Sequence, residues 1–142
     1  MSRLIFINLP VRDLDRSVAF YERMGAEKNP QFSDHTAACM VMSDVIHVML
    51  LTHDKFRQFT PREIADAGRV TEVLLAISAE SRDAVDGLVD TANGAGCRSD
   101  PAPVQDHGFM YSRSFEDPDG HIWEVAWMDL EAAMAAAPQT AA

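Results

Sequence analysis

Two cysteines in 142 residues, Cys39 and Cys97, stand far apart with no CxxC and no matching histidine pair. That excludes a disulfide framework and a zinc knuckle, and both read as buried thiols. No apolar run is long enough for a signal-peptide core or a membrane span, because Asn8, Pro10 and Arg12 interrupt the opening MSRLIFINLPVRDLD too early. A cytoplasmic protein is expected. Positive charge is scarce too: twelve Lys and Arg against twenty-two Asp and Glu leave a formal charge of −10. Such a field repels phosphate backbones and anionic lipid, so neither nucleic acid nor membrane is expected as a partner. A small anionic ligand stays open, since a site can be locally positive on an acidic protein, with Arg98 and Arg113 as candidates.

What the chain does have is a pattern stated twice. Residues 4–11, LIFINLPV, favour a strand, and RDLDRSVAFYERMGA after them sets Leu14, Val18, Tyr21 and Met24 on one helical stripe. Asp13 suits the N-cap, Asp15 the first turn and Gly25 the helix end. Three short strand-like runs follow, KNPQF, TAACMVMS and VIHVMLLT, with Ser43-Asp44 as a hairpin turn between the last two. A polar connection then leads to VTEVLLAIS and to a second helical stripe of Val85, Leu88, Val89 and Ala92, capped by Ser81 and ended by Gly94 and Gly96. CRSDPAPVQD, with two prolines, fits only an edge or irregular strand, whereas FMYSRSF and HIWEVAW are stronger. Asp117-Pro118-Asp119-Gly120 between them fits a type I turn with a bulge.

The expected fold class is therefore α+β: one domain, residues 1–142, of two βαβββ modules. Module one spans about 3–53, a connection 54–68, module two 69–129, and an alanine-rich helical tail 130–142. One helix per sheet covers one face, leaving the other faces to meet across a groove where small ligands usually bind.

The order of elements, the pattern L-x-V-x-D-L-x-x-S-x-x-F-Y at Leu9, Val11, Asp13, Leu14, Ser17, Phe20 and Tyr21, and D-P-D-G-x-x-x-E at residues 117–124 resemble the vicinal oxygen chelate superfamily. That group contains glyoxalase I, fosfomycin and bleomycin resistance proteins and extradiol dioxygenases. The chain looks most like a bacterial branch labelled predicted lactoylglutathione lyase. The resemblance implies a cup-shaped glyoxalase-like fold, a homodimer, and in metal-dependent members four strand ligands to a divalent ion such as Zn, Ni, Mn or Fe. Glu124 matches the last ligand position and Glu72 the one ahead of Leu75 and Ile77. The other two positions fall on Phe6 and about Met49, which do not ligate. His47 shares strand parity with Met49, about 7 Å away, and is the best extra ligand candidate. An extradiol dioxygenase needs two histidines and a carboxylate on one iron face, and these positions offer no histidine.

Phe6, Asn8, His47, Met49, Met110, Tyr111 and Arg113 are the candidates for touching a ligand. Met40, Met42, Met49 and Met110 fit an adaptable apolar cup or ordinary core packing. Tyr111 and Arg113 share parity and place a phenol beside a guanidinium. Glu124 lies in phase with Ile122 and Ala126, opposite Trp123 and Val125, so it is either solvated, paired with an arginine or part of the cup. If Glu72 and Glu124 face one another, a metal or a shared proton must sit between them. Two functions follow. One is a metal-dependent lyase or isomerase acting on a small oxygenated or thiol-conjugated metabolite, with Glu72 or Glu124 moving a proton. The other is a metal-free protein that sequesters a small molecule.

Overall fold

The computed structural model describes residues 3–136. The order is β1 (Ile5–Val11), α1 (Leu14–Arg23), β2 (Glu27–Asn29), a 3-10 turn (Pro30–Phe32), β3 (Ala37–Val41), β4 (Ile46–Thr52) and α2 (His53–Arg57). Then come β5 (Leu75–Ser78), α3 (Arg82–Gly94), β6 (Gln105–Asp106), β7 (Met110–Glu116), β8 (Ile122–Met128) and α4 (Leu130–Ala136). The strands form two four-stranded sheets, β1-β4-β3-β2 and β5-β8-β7-β6, in which the first strand of each half pairs parallel with the last and the others are antiparallel. The α+β arrangement of two βαβββ modules is therefore as the sequence predicts. Within the described residues the chain divides into two units: one runs to Glu72 and adds Asp117–His121, and the other takes Val73–Glu116 and the part from Ile122 on.

In the first unit the side chains of Leu9, Val11, Met40, Val48 and Leu50 alternate along three strands and are sealed from solvent on the face where α1 packs. Asp13 caps α1, its carboxylate accepting from the Arg16 amide. The helix buries Ser17, Phe20 and Tyr21, a stripe displaced from the apolar one predicted, because the buried Ser17 hydroxyl has a partner to satisfy it. In the second unit α3 sets Val85, Val89 and Ala92 against Phe115, Trp123 and Val125. Ser81 caps it, and Gly96 with φ of 83° turns the chain away.

Three segments differ from expectation. Pro30, with no amide hydrogen, ends β2 after three residues and starts a 3-10 turn. The run VTEVLLAIS yields a strand only from Leu75, so Thr71 to Leu74 lie outside the sheet. The connection forms a short helix, α2, capped by Thr52. The alanine-rich tail is helical over Leu130–Ala136, and residues 137–142 lie outside those described.

Candidate functional site

The turn Asp117–His121 joins β7 to β8 in sequence but is bonded into the first unit. Asp117 is 3% exposed: its Oδ2 accepts from the Tyr21 hydroxyl at 2.6 Å and its Oδ1 from the amides of Asp119 and His121 at 2.9 Å. Asp119, also buried, accepts from the Arg12 amide and the Ser17 hydroxyl. Arg16 donates to the Pro118 carbonyl, and His121 Nε2 donates to the Pro10 carbonyl at 2.9 Å. Burial pushes the Asp117 carboxyl above its usual range, against the opposing effects of His121, the Tyr21 hydroxyl and the two amides. Gly120 has φ of 93°, and a Cβ there would lie 2.8 Å from the Gly68 backbone. Beside it is a hollow of about 10 Å³ that Arg12, His53, Asp66, Asp119 and His121 line, enough for about one water. Arg12, Asp66, Asp119 and His121 are spoken for by internal bonds. The two sequence motifs quoted above are thus halves of one bonded constellation, Ser17 with Asp119 and Tyr21 with Asp117, that fixes α1 to the turn.

The face of the first sheet away from α1 carries Phe6 and Asn8 from β1, His47 and Met49 from β4, and Cys39 and Val41 from β3, as the strand register dictates. Phe6 is 52% exposed and stacks on His47, with ring centroids 4.7 Å apart and planes at 21°. His47 Nδ1 is buried without a hydrogen-bond partner. Four of the expected ligand-facing residues, Phe6, Asn8, His47 and Met49, therefore share the face away from α1. Burial pushes the Cys39 thiol pKa up, so it is an inert thiol rather than a nucleophile.

The helix-free face of the second sheet is different. Register places Glu124 beside Ser114 on β7 and Ala76 on β5, then Ala126 beside Ser112, then Met128 beside Met110. Glu124 is half-buried on an inner strand, and its side chain makes no ion pair or hydrogen bond among the described residues. Ser114 is buried, its hydroxyl accepting from the Ala102 amide.

Tyr111 and Arg113 require a correction. They do share parity, but it is the parity of Val125 and Trp127, on the α3 side of the sheet and opposite Met110 and Glu124. Arg113 is bonded to Asp100 through two nitrogens, at 3.0 and 2.6 Å, and to Asp86 at 2.9 Å, while the Tyr111 hydroxyl donates to the same Asp86. The Tyr111 and Arg113 bonds hold Asp86 below the usual carboxylate range, and the Arg113 bonds do so for Asp100; the Asp86 bond raises Tyr111. Alternation along β7 decides the matter: Met110 and Tyr111 cannot both face the same way. Arg98 lies 3.8 Å from Glu116.

Glu72 lies outside every strand, three residues before β5, and is exposed. Among the described residues no group of three or more His, Cys, Asp or Glu side chains could hold a metal ion. With Phe6 and Met49 at two of the four expected positions and Glu72 outside the strands, the described residues do not bring together the donor set that a resident divalent ion needs.

A pair of four-stranded sheets with the same strand order, each carrying one principal helix, defines the glyoxalase class of α+β folds. Residues 3–125 match the model of the Glyoxalase/Bleomycin resistance protein/Dioxygenase superfamily, and the chain belongs to that superfamily. No curated protein matches. Among solved structures, a hypothetical protein from S. aureus is 26% identical with a TM-score of 0.73, covering 89% of this chain and 95% of that one. A glyoxalase/bleomycin resistance protein/dioxygenase family enzyme from Burkholderia phytofirmans is 20% identical at a TM-score of 0.72, covering 89% and 99%. The fosfomycin resistance protein FosX from Mesorhizobium loti is 18% identical at 0.67, covering 94% and 98%. The last two likenesses are of fold.

Proposed function

We propose that this chain is a small-molecule-binding member of the superfamily whose sheet faces away from α1 and α3 each offer a surface for a ligand, without a metal ion. The observation that carries this reading is the residue set on those faces. The first offers an aromatic and thioether surface around Phe6, His47 and Met49, and the second a flat floor of serine and alanine around Glu124. Apolar walls with a few placed polar groups are what a ligand site needs, and a donor set for a divalent ion is missing among the described residues. The protein acts as a homodimer in the cytoplasm. Exposed Leu4, Ile5 and Phe6 lie at or just before β1, the outer strand of its sheet, and Val73 and Leu74 just before β5, the outer strand of the other. Such edges favour pairing with another copy. No helix among the described residues is long and apolar enough to cross a membrane.

A second reading, a metal-dependent lyase or isomerase such as a lactoylglutathione lyase, is favoured by one feature only: Glu124 is half-buried and unpartnered, as a proton-moving carboxylate would be. Metal analysis of protein purified without tag or chelator, with calorimetric titration of Ni²⁺ and Zn²⁺, separates the two. The binding reading expects metal well below one per chain and no tight isotherm. One-to-one binding lost in Glu124→Gln would overturn it. Light scattering at micromolar concentration is expected to give twice 15.7 kDa; the monomer mass would overturn the dimer.

A further inference from the structure

Of the twelve Lys and Arg in the chain only Lys28 and Arg113 lie in strands, and both point to the helix side, Lys28 paired with the buried Met40 and Arg113 with the buried Val125. Arg82 is bonded to Asp106, Arg12 to Asp66, Arg98 to Glu116, and the remaining basic residues lie on helices, turns and connections. Among the described residues, therefore, no strand lysine or arginine lies on the faces away from α1 and α3. Three carboxylates occur on them: Glu27 on the edge strand β2, Glu116 with Arg98 as partner, and Glu124. Glu124 alone sits mid-way along an inner strand without a partner.

A half-buried carboxylate with no counter-charge is costly, and the cost is relieved when a cation is brought to it. The protein's net charge of −10 raises the local concentration of cations and lowers that of anions before any contact is made. From Glu124 the face runs over Ala126 and Ser112, small enough to leave room, to the directly paired Met110 and Met128. Four residues of strand separate Glu124 from Met128, about 13 Å. Methionines at that distance present a polarisable surface suited to an aromatic ring.

We propose that the ligand of this site is a cation, an aromatic or similarly planar amine whose ammonium or amidinium group is taken by Glu124 while its ring lies toward Met110 and Met128. This deepens the binding reading above and rests on it. The face rejects anions for the same reason: a phosphonate or carboxylate placed here meets Glu124 and finds no arginine.

Three probes with one ring and three charges test this by calorimetry at low salt: tryptamine, the neutral tryptophol and the anionic indole-3-propionate. Tryptamine is expected to bind at least tenfold more tightly than tryptophol, with indole-3-propionate weakest. Glu124→Gln is expected to bring tryptamine down to the tryptophol level and leave tryptophol unchanged. Ser112→Lys, which sets an ammonium on the same face, is expected to abolish tryptamine binding with the melting temperature retained, so the result does not depend on one variant folding. Equal binding of the three probes, or a preference for tryptamine that survives both substitutions, overturns the cation assignment while the binding reading stands. No binding of any probe at millimolar concentration overturns both.

Discussion

The first and second sheets have one strand order between them, β1-β4-β3-β2 against β5-β8-β7-β6, and each packs an amphipathic helix on one face. Their polar groups are spent in opposite ways. In the first unit two carboxylates are buried and bonded to backbone and hydroxyls, Asp117 to Tyr21 and two amides, Asp119 to Ser17 and the Arg12 amide, beside exposed pairs such as Arg12 with Asp66. In the second they form a partly exposed chain of ion pairs, Asp106 to Arg82 and Asp86 and Asp100 to Arg113. Alternation and loop length are enough to build the shared topology. What each module contributes chemically is decided by which side chains the alternation leaves on the bare face, and by how firmly the rest are bonded away.

The contrast is sharpest at two glycines with positive φ. Gly96, φ 83°, has open space where a Cβ would go, whereas Gly120, φ 93°, faces the Gly68 backbone at 2.8 Å. Gly96→Ala is expected to cost only the left-handed strain, about 1 kcal/mol. Gly120→Ala adds a clash against backbone that cannot rotate away, for a total of about 3 kcal/mol. Urea unfolding of the two variants side by side measures the difference. Equal costs would mean that the turn is not held against residues 66–68 as described.

A similar pairing sets Asp117→Ala against Arg113→Ala. The first leaves the Tyr21 hydroxyl and two amides buried without an acceptor, each an unsatisfied group, for about 3 kcal/mol. The second opens a network whose carboxylates are 42% and 27% exposed at the side chain, so water takes over much of the loss and about 1 kcal/mol is expected. Chemical denaturation with an unchanged m-value would confirm the order. The reverse order would mean that the second unit's ion pairs, not the buried turn, dominate.

Acid separates the same regions. Asp86 and Asp100 have folded pKa values below the ordinary 3.8, so their contribution is present above about pH 4 and is lost as pH falls through the lower folded values. Asp117 is shifted the other way: its contribution is present below its unfolded pKa and fades as pH rises through the raised folded one. Melting temperatures followed from pH 7 down to about pH 3 should therefore show Arg113→Met with a shallower acid loss than wild type. The cost of Asp117→Asn should shrink between about pH 4 and pH 7. A cost that grows over that interval would show that the three donors around Asp117, not its burial, set its charge.

Topology was legible because it rests on local signals: capping residues Asp13 and Ser81, the glycines after both helices, and apolar alternation in β4, β7 and β8. Parity was legible too, and it placed His47 with Met49 and Glu124 away from Trp123. The face that Tyr111 and Arg113 occupy was not, because parity gives two alternatives and the choice depends on Asp86, twenty-five residues earlier in sequence, reaching across from α3. Nor was the role of Asp117 and Asp119. As letters they describe a turn, and only the packing of a segment about a hundred residues distant reveals them as buried acceptors. The start of β5 was not legible for a third reason: a β-rich run does not say where pairing begins, and the pairing with β8 begins at Leu75, three residues after Glu72.

The smallest effect is expected at Arg82. Its guanidinium lies 5.0 Å from the Tyr111 ring and 5.3 Å from the Trp127 ring, and it donates twice to Asp106 and once to the Gly108 carbonyl. Its side chain is 39% exposed and that of Asp106 50%, so screening by water keeps the ion pair weak despite good geometry. Arg82→Leu should lower the melting temperature slightly at low salt, and Arg82→Lys nearly as much, because lysine keeps the charge but not the two-pronged fork or the flat surface over two rings. In about 1 M salt the electrostatic part is screened to within a few ångströms and the two variants should converge on wild type, leaving only the ring contact. Differential scanning calorimetry at the two salt concentrations reads this directly. A loss of melting temperature for Arg82→Leu that is as large as that of Asp117→Ala and independent of salt would mean that ring packing rather than charge secures this part of the second unit, and the contrast with the buried turn of the first would narrow accordingly.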